Sequence, residues 1–267
     1  GYRPRQANLL AEARQICKKR YTIFTPSVKK LLRKFIKMYW SPEQISGWLS
    51  KEGKLKISIL SIYRFIRFDK SNGGSLWQFL RQSNKKRRKR KRGQSLAGII
   101  KNRVSIDDRP LSVEHKCEIG HWEIDTVIGA HHKGVLVTIV ERVSKFTVIG
   151  KSKSKSADDV CDVIIKLLKP FKKWVKTITA DNGKEFSNHE IFSAELIAKT
   201  YFAHPYASWE RGLNENTNGL IRQFFPKGTD LRYARIKKIK DVVTLLNNRP
   251  RKTLGYLTPN ELFLTST

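Results

Sequence analysis

Over the first eighty residues, apolar side chains recur at helical spacing. Val28, Leu31, Leu32, Phe35 and Ile36 share one face, with Lys and Arg between them, which is the 3.6-residue period of an amphipathic helix. In SPEQISGWL, Ser41 is placed to cap, Pro42 to fill the first helical position and Gln44 to complete a capping box, while Ile45, Trp48 and Leu49 form the apolar stripe. Gly53 ends that helix, and a second starts near Ser58 with Ile62, Phe65 and Ile66 turned inward. Beyond residue 120 the period changes. HWEIDTVIGA alternates, GVLVTIVERV is a nearly continuous β-branched run, and FTVIGKS follows a Ser-Lys turn, so residues 121–152 predict three consecutive antiparallel strands. SADDVCDVIIKLLKPF predicts an amphipathic helix capped by Ser156. VKTITAD predicts a strand ending at an Asp-Asn-Gly turn, KTYFAHP another strand, and the stretches near 209–225, 236–247 and 258–264 three helices. Three strands, helix, strand, helix, strand and then helices make an α/β layer fold with a mixed central sheet.

Composition adds a core and a partner to this picture. With 39% hydrophobic and 10% aromatic residues in 267, the chain buries enough apolar surface to exclude disorder throughout. No run approaches the ~18 apolar residues of a membrane span, and GYRPRQANLL has no apolar core of a signal peptide. Cys17, Cys117 and Cys161 lie far apart, without CxxC or zinc spacing, so a reducing cytoplasm is the expected location. The 54 Lys and Arg against 23 Asp and Glu leave a net charge of +31, which calls for a polyanion, and nucleic acid suits it better than a membrane surface. Residues 1–120 carry +22 of that charge, leaving +9 for residues 121–267. The densest run, KKRRKRKR from Lys85 to Arg92, lies between SNGGS and GQSLAG and reads as a linker or flexible arm. The expected organisation is a helical DNA-binding region over 1–80, a basic linker over 81–115 and an α/β core over 116–267. Within the first, residues 41–67 fit a helix-turn-helix whose second helix carries Ser61 and Arg64 toward a DNA groove; a plain helical hairpin has the same pattern. Ser61, Arg64, Lys85, Lys86, Arg87 and Arg88 are the candidate DNA contacts in this half.

Three acids stand out in the second half. Asp125 lies within the first strand, Asp181 at the end of a buried-looking strand before Asn182 and Gly183, and Glu215 inside the helix expected to begin near Ser208. Acids beyond strand ends face the ligand crevice of an α/β sheet. Three carboxylates brought together from a strand, a strand end and a helix suit hard divalent cations, Mg2+ or Mn2+. Two such ions stabilise the attacking and leaving oxygens of a phosphodiester displacement. Each acid also has a plainer reading: Asp181 as a turn residue, Glu215 as the partner of Arg211 one turn back. Glu210, near the helix start, suits the helix dipole. Glu123 and Glu185 support the two aspartates or sit at the surface. His121, His131, His132 and His204 are not needed as bases where a metal activates the nucleophile. Trp209 reads as an anchor for the helix start.

GHWEIDTVIG, TADNGKEF, SWERGLNENTNGLIRQFFPKGTD and LNNRPRKTLGYLTPNELF, in that order, resemble the bacterial DDE transposases of the insertion-sequence-30 family over about residues 20–267. The 33 residues between Asp181 and Glu215 match that family's spacing. The resemblance implies a ribonuclease H-like core with a mixed five-stranded sheet flanked by helices, preceded by an all-α helix-turn-helix region. It implies Asp125, Asp181 and Glu215 as catalytic ligands of two Mg2+ or Mn2+ ions. It places Arg222, two turns after Glu215, where such enzymes grip the element's end. The implied activity is cleavage of terminal inverted repeats and joining of the 3′ ends to target DNA, with double-stranded DNA as partner, no membrane, and a homodimer or larger assembly. Such proteins carry another helix-turn-helix upstream, so the chain is expected to begin inside the longer pattern. A catalytically silent, transposase-derived DNA-binding regulator and a ribonuclease H-like nuclease without strand transfer are the alternatives.

Overall fold

The computed structural model describes residues 3–17, 23–81, 100–205 and 207–265; the basic run with Lys85, Lys86, Arg87 and Arg88 lies outside the described residues. Four helices lead: α1 (Pro4–Cys17), α2 (Pro26–Lys37), α3 (Pro42–Lys51) and α4 (Ile59–Ser71). The first has no counterpart among the sequence expectations, and the reason is visible: Leu9 and Leu10 are exposed, so no buried stripe marks it. The other three form where their patterns predict. Ser41 Oγ accepts from Gln44 N–H at 3.2 Å while Gln44 Oε1 accepts from Ser41 N–H at 2.9 Å, closing the capping box. Ser58 caps α4 through Ser61 N–H. Leu32, Phe35, Ile36, Ile45, Leu49, Ile62, Phe65 and Ile66 then meet in a core of their own.

After the short α5 (Leu111–His115) comes the sheet: β1 (His121–Ile128), β2 (Val135–Glu141), β3 (Thr147–Ser152), β4 (Thr177–Ala180) and β5 (Lys199–Phe202), in the order β3-β2-β1-β4-β5. β1, β2 and β3 are antiparallel, whereas β4 and β5 run parallel to β1, the mixed sheet expected for a ribonuclease H-like core. Helices α6 (Ala157–Leu168), capped by Ser156, and α7 (His189–Leu196) connect the strands, and α8 (Gly212–Phe224), α9 (Ile236–Asn247) and α10 (Pro259–Thr265) close the chain. Strand alternation divides β1 between two layers. Trp122 and Ile124 join α6 and α7 through Ile164, Leu168, Phe192 and Leu196. Val127, on the other parity with Glu123 and Asp125, joins Leu136, Ile149 and the α8 and α9 residues Leu220, Ile221, Val242 and Leu246.

The helical unit docks on α8 and the C-terminal segment. Tyr39 meets Phe224 edge-on with centroids 4.7 Å apart, and Gln223 Nε2 donates to Phe79 O at 2.9 Å. Arg249 Nε donates at 2.7 Å to the same Gln44 oxygen that completes the α3 cap. Gly47 lies so close under Tyr256 that a Cβ there would fall 2.1 Å from the ring. Among the described residues, no helix is long and apolar enough to cross a membrane.

Candidate active site

Strand pairing alone puts Asp125 and Asp181 side by side. Glu123 of β1 lies opposite Thr179 of β4 in parallel register. Two residues further on, Asp125 therefore faces Asp181 on the same side of the sheet. Both carboxylates are held. Asp125 Oδ1 accepts from Thr126 N–H at 2.8 Å and Oδ2 from Asn218 Nδ2 of α8 at 2.8 Å. Thr138 of β2 fixes Asn218 in turn by donating to its Oδ1 at 3.1 Å. Asp181 Oδ1 accepts from Gly183 N–H at 2.9 Å, the turn role expected of it. Burial pushes the Asp125 carboxyl up to about 6, and nearby Asp181 adds to the rise while Arg211 opposes it.

Arg211 is the residue that the sequence reading misplaced. Its spacing alone pairs it with Glu215 one turn on. Its Nη2 instead donates to Asp181 Oδ2 at 3.2 Å, and its Nη1 lies 3.9 Å from Asp125 Oδ2. The cause is local: residues Ser208–Arg211 form a 3-10 turn and the α-helix begins only at Gly212, which turns Arg211 toward the sheet. Glu210, expected to stabilise the helix dipole, is drawn to His204 through Nδ1 and the backbone N–H, both at 2.8 Å. Trp209 is 77% exposed, contrary to the anchoring role expected of it. Glu123 is buried against Arg142 at 3.2 Å, and Glu185 accepts from Thr126 Oγ1 at 3.0 Å, so both support the strand.

The expected meeting of three carboxylates is met by two. Asn214 and Asn218 take the inward face of α8, leaving Glu215 exposed. Among the described residues, no group of three His, Cys, Asp or Glu side chains is gathered tightly enough to hold a metal. Glu215 does line the same open cavity, of about 760 Å3, as Asp125. Its other charged walls are basic: Arg81, Arg211, Arg222 and Lys227. Arg222 reaches the Ile128 carbonyl with one Nη at 2.7 Å, and burial lowers its pKa. Arg81 lies in no sequence motif, and Asn218 and Lys227, although inside SWERGLNENTNGLIRQFFPKGTD, had no role assigned there; only the fold gathers the three. In the helical unit Arg64 is exposed and Ser61 half-buried, the Ser61 N–H and hydroxyl both engaging Ser58.

The Integrase core domain family matches residues 115–208, the span that contains Asp125 and Asp181 and stops short of Glu215. The transposase for insertion sequence element IS4351 from Bacteroides fragilis is 46% identical over 98% of this chain and 81% of its own length. The chain belongs to the insertion-sequence-30 family of transposases. Transposase InsI for insertion sequence element IS30A of Escherichia coli, another member similar to it, is 36% identical over 88% of this chain, and the chain spans 64% of that protein. Among solved structures, the catalytic core domain of BIV integrase covers 55% of this transposase chain and 94% of its own at 20% identity and a TM-score of 0.44.

The donor chemistry fits a divalent cation. Asp125 and Asp181 offer hard carboxylate oxygens facing one another, and they already draw a cationic group, the Arg211 guanidinium, between them.

Proposed function

We propose that this chain cleaves DNA at the terminal inverted repeats of its insertion sequence and joins the freed 3′ ends to target DNA. The supporting observation is a single cavity in which Asp125 and Glu215 face four basic side chains, with Asp181 bridged to Asp125 through Arg211. Asp125 and Asp181 would hold Mg2+ or Mn2+, two ions in all, with Glu215 completing the ligands from α8. Bound there, the ions supply charge stabilisation at the reacting phosphorus and a more acidic attacking water or 3′ hydroxyl. The chain's own residues do the rest. Asn218 and Thr126 keep the Asp125 oxygens aimed, and Gly183 does the same for Asp181. Arg81, Arg222 and Lys227 attract backbone phosphates into the cavity, with Arg222 gripping the element's end. Ser61 and Arg64 on α4, with the linker residues Lys85, Lys86, Arg87 and Arg88, bind duplex DNA outside it. Joining two ends calls for at least two protomers, and the place of work is the bacterial nucleoid.

Labelled inverted-repeat duplex incubated with Mg2+ tests the reading. Wild-type protein nicks the repeat at its end and then joins it to a target duplex. Asp125→Asn, Asp181→Asn and Glu215→Gln each lower cleavage by about 1000-fold, the loss of about 4 kcal/mol of stabilisation, while DNA affinity is retained. Binding without cutting by the wild type would identify a silent regulator, and cutting without joining a nuclease.

A further inference from the structure

The guanidinium between the two aspartates has features that a permanent structural ion pair lacks. The Arg211 side chain is 12% exposed, and its Nε and Nη1 are buried with no hydrogen-bond partner. Of its two carboxylate neighbours, only Asp181 is hydrogen-bonded; Asp125 stands 3.9 Å away. A cation that pairs imperfectly with two acids leaves buried donors unsatisfied. The same side chain also has somewhere else to go. Arg211 lines the open cavity together with Glu215 and Asn216, so a rotation of its side chain away from the aspartates leads into that cavity. Two positions before Arg211, Trp209 is 77% exposed, while Glu210 between them is tied to His204.

We propose that Arg211 is a placeholder cation: its guanidinium neutralises Asp125 and Asp181 until divalent ions enter, then swings into the cavity toward Glu215 and an incoming DNA phosphate. This rests on the reading above that the aspartates hold the metal. Arg211 and the ion compete for one position, so the DNA-free protein binds divalent ions weakly. A phosphate in the cavity that draws Arg211 away strengthens ion binding. By linkage, the ion strengthens DNA binding by the same factor. The device would keep an uncommitted transposase from nicking arbitrary DNA.

Mn2+ binding to the full chain, followed by loss of the free-ion paramagnetic resonance signal, tests this without reference to activity. Arg211→Gln is expected to tighten Mn2+ binding of the DNA-free protein about tenfold or more, a typical coupling between sites. Arg211→Lys, which keeps the charge, should stay near wild type. Adding inverted-repeat duplex should tighten binding to wild type but leave Arg211→Gln unchanged. Thermal melts show that each variant is folded. Equal or weaker Mn2+ affinity in folded Arg211→Gln overturns the placeholder role. If Mn2+ binding is unaffected by Asp125→Asn and Asp181→Asn, with or without DNA, the metal reading itself falls and the placeholder with it.

Discussion

The two faces of β1 place opposite demands on the fold. One presents Trp122 and Ile124, fully buried among α6, α7 and Phe263. The other presents Glu123 and Asp125, two carboxylates that burial disfavours as anions. Adjacent residues of one strand thus do separate work: Trp122 and Ile124 pack the sheet against its helices, and Glu123 and Asp125 hold charge in place against its preference for water. The polar face is tolerated because each acid is met by a partner from another element: Arg142 at Glu123, Asn218 and Arg211 near Asp125.

Substitutions on the two faces should separate these roles. The largest effect belongs to Trp122→Ala, which opens a large cavity in the apolar layer and frees the Trp174 carbonyl that Trp122 Nε1 now reaches at 2.9 Å. It should cost about 3–5 kcal/mol in denaturant unfolding, and a loss under 1 kcal/mol would erase the contrast. The opposite face should show itself in pH. Folded Asp125 keeps its proton up to about 6, whereas its ordinary value is 3.8. The folded state therefore binds more protons between those values, and stability falls as pH rises through that window. In metal-free buffer, Asp125→Asn should flatten the dependence of Tm on pH between 4 and 6 and leave the protein at least as stable near neutrality; an unchanged slope would place the titration elsewhere. Smallest is Thr138→Val, which removes the hydroxyl that donates to Asn218. About 1 kcal/mol of stability should go with it, and end cleavage should slow because the Asn218 amide no longer has one fixed orientation toward Asp125. Cleavage at the wild-type rate would show that Asn218 needs no support.

Much of this was legible beforehand, for identifiable reasons. The three antiparallel strands and the α3 and α4 helices follow from period and caps, because Ser41, Gln44 and Ser58 bond within three residues of themselves. Asp125 and Asp181 share a face because strand parity and one parallel register decide it. What escaped depended on departures from ideal helix or on distance along the chain. A 3-10 turn at Ser208–Arg211 sends Arg211 to the aspartates, when an α-helix from Ser208 would have paired it with Glu215. That same late helix start leaves Trp209 in solvent and Glu215 outside the carboxylate pair. Gln44 and Arg249 stand 205 residues apart, and no local pattern announces such a bond.

That bond has a geometric consequence. One oxygen of Gln44 caps α3 and receives Arg249, while Gly47 under Tyr256 and Tyr39 against Phe224 lock the same two units. The exposed face of α4 is thereby held at a set separation from Asp125. Under the proposed function that joint would act as a ruler, its contacts setting the number of base pairs between the DNA held at α4 and the bond cut near Asp125.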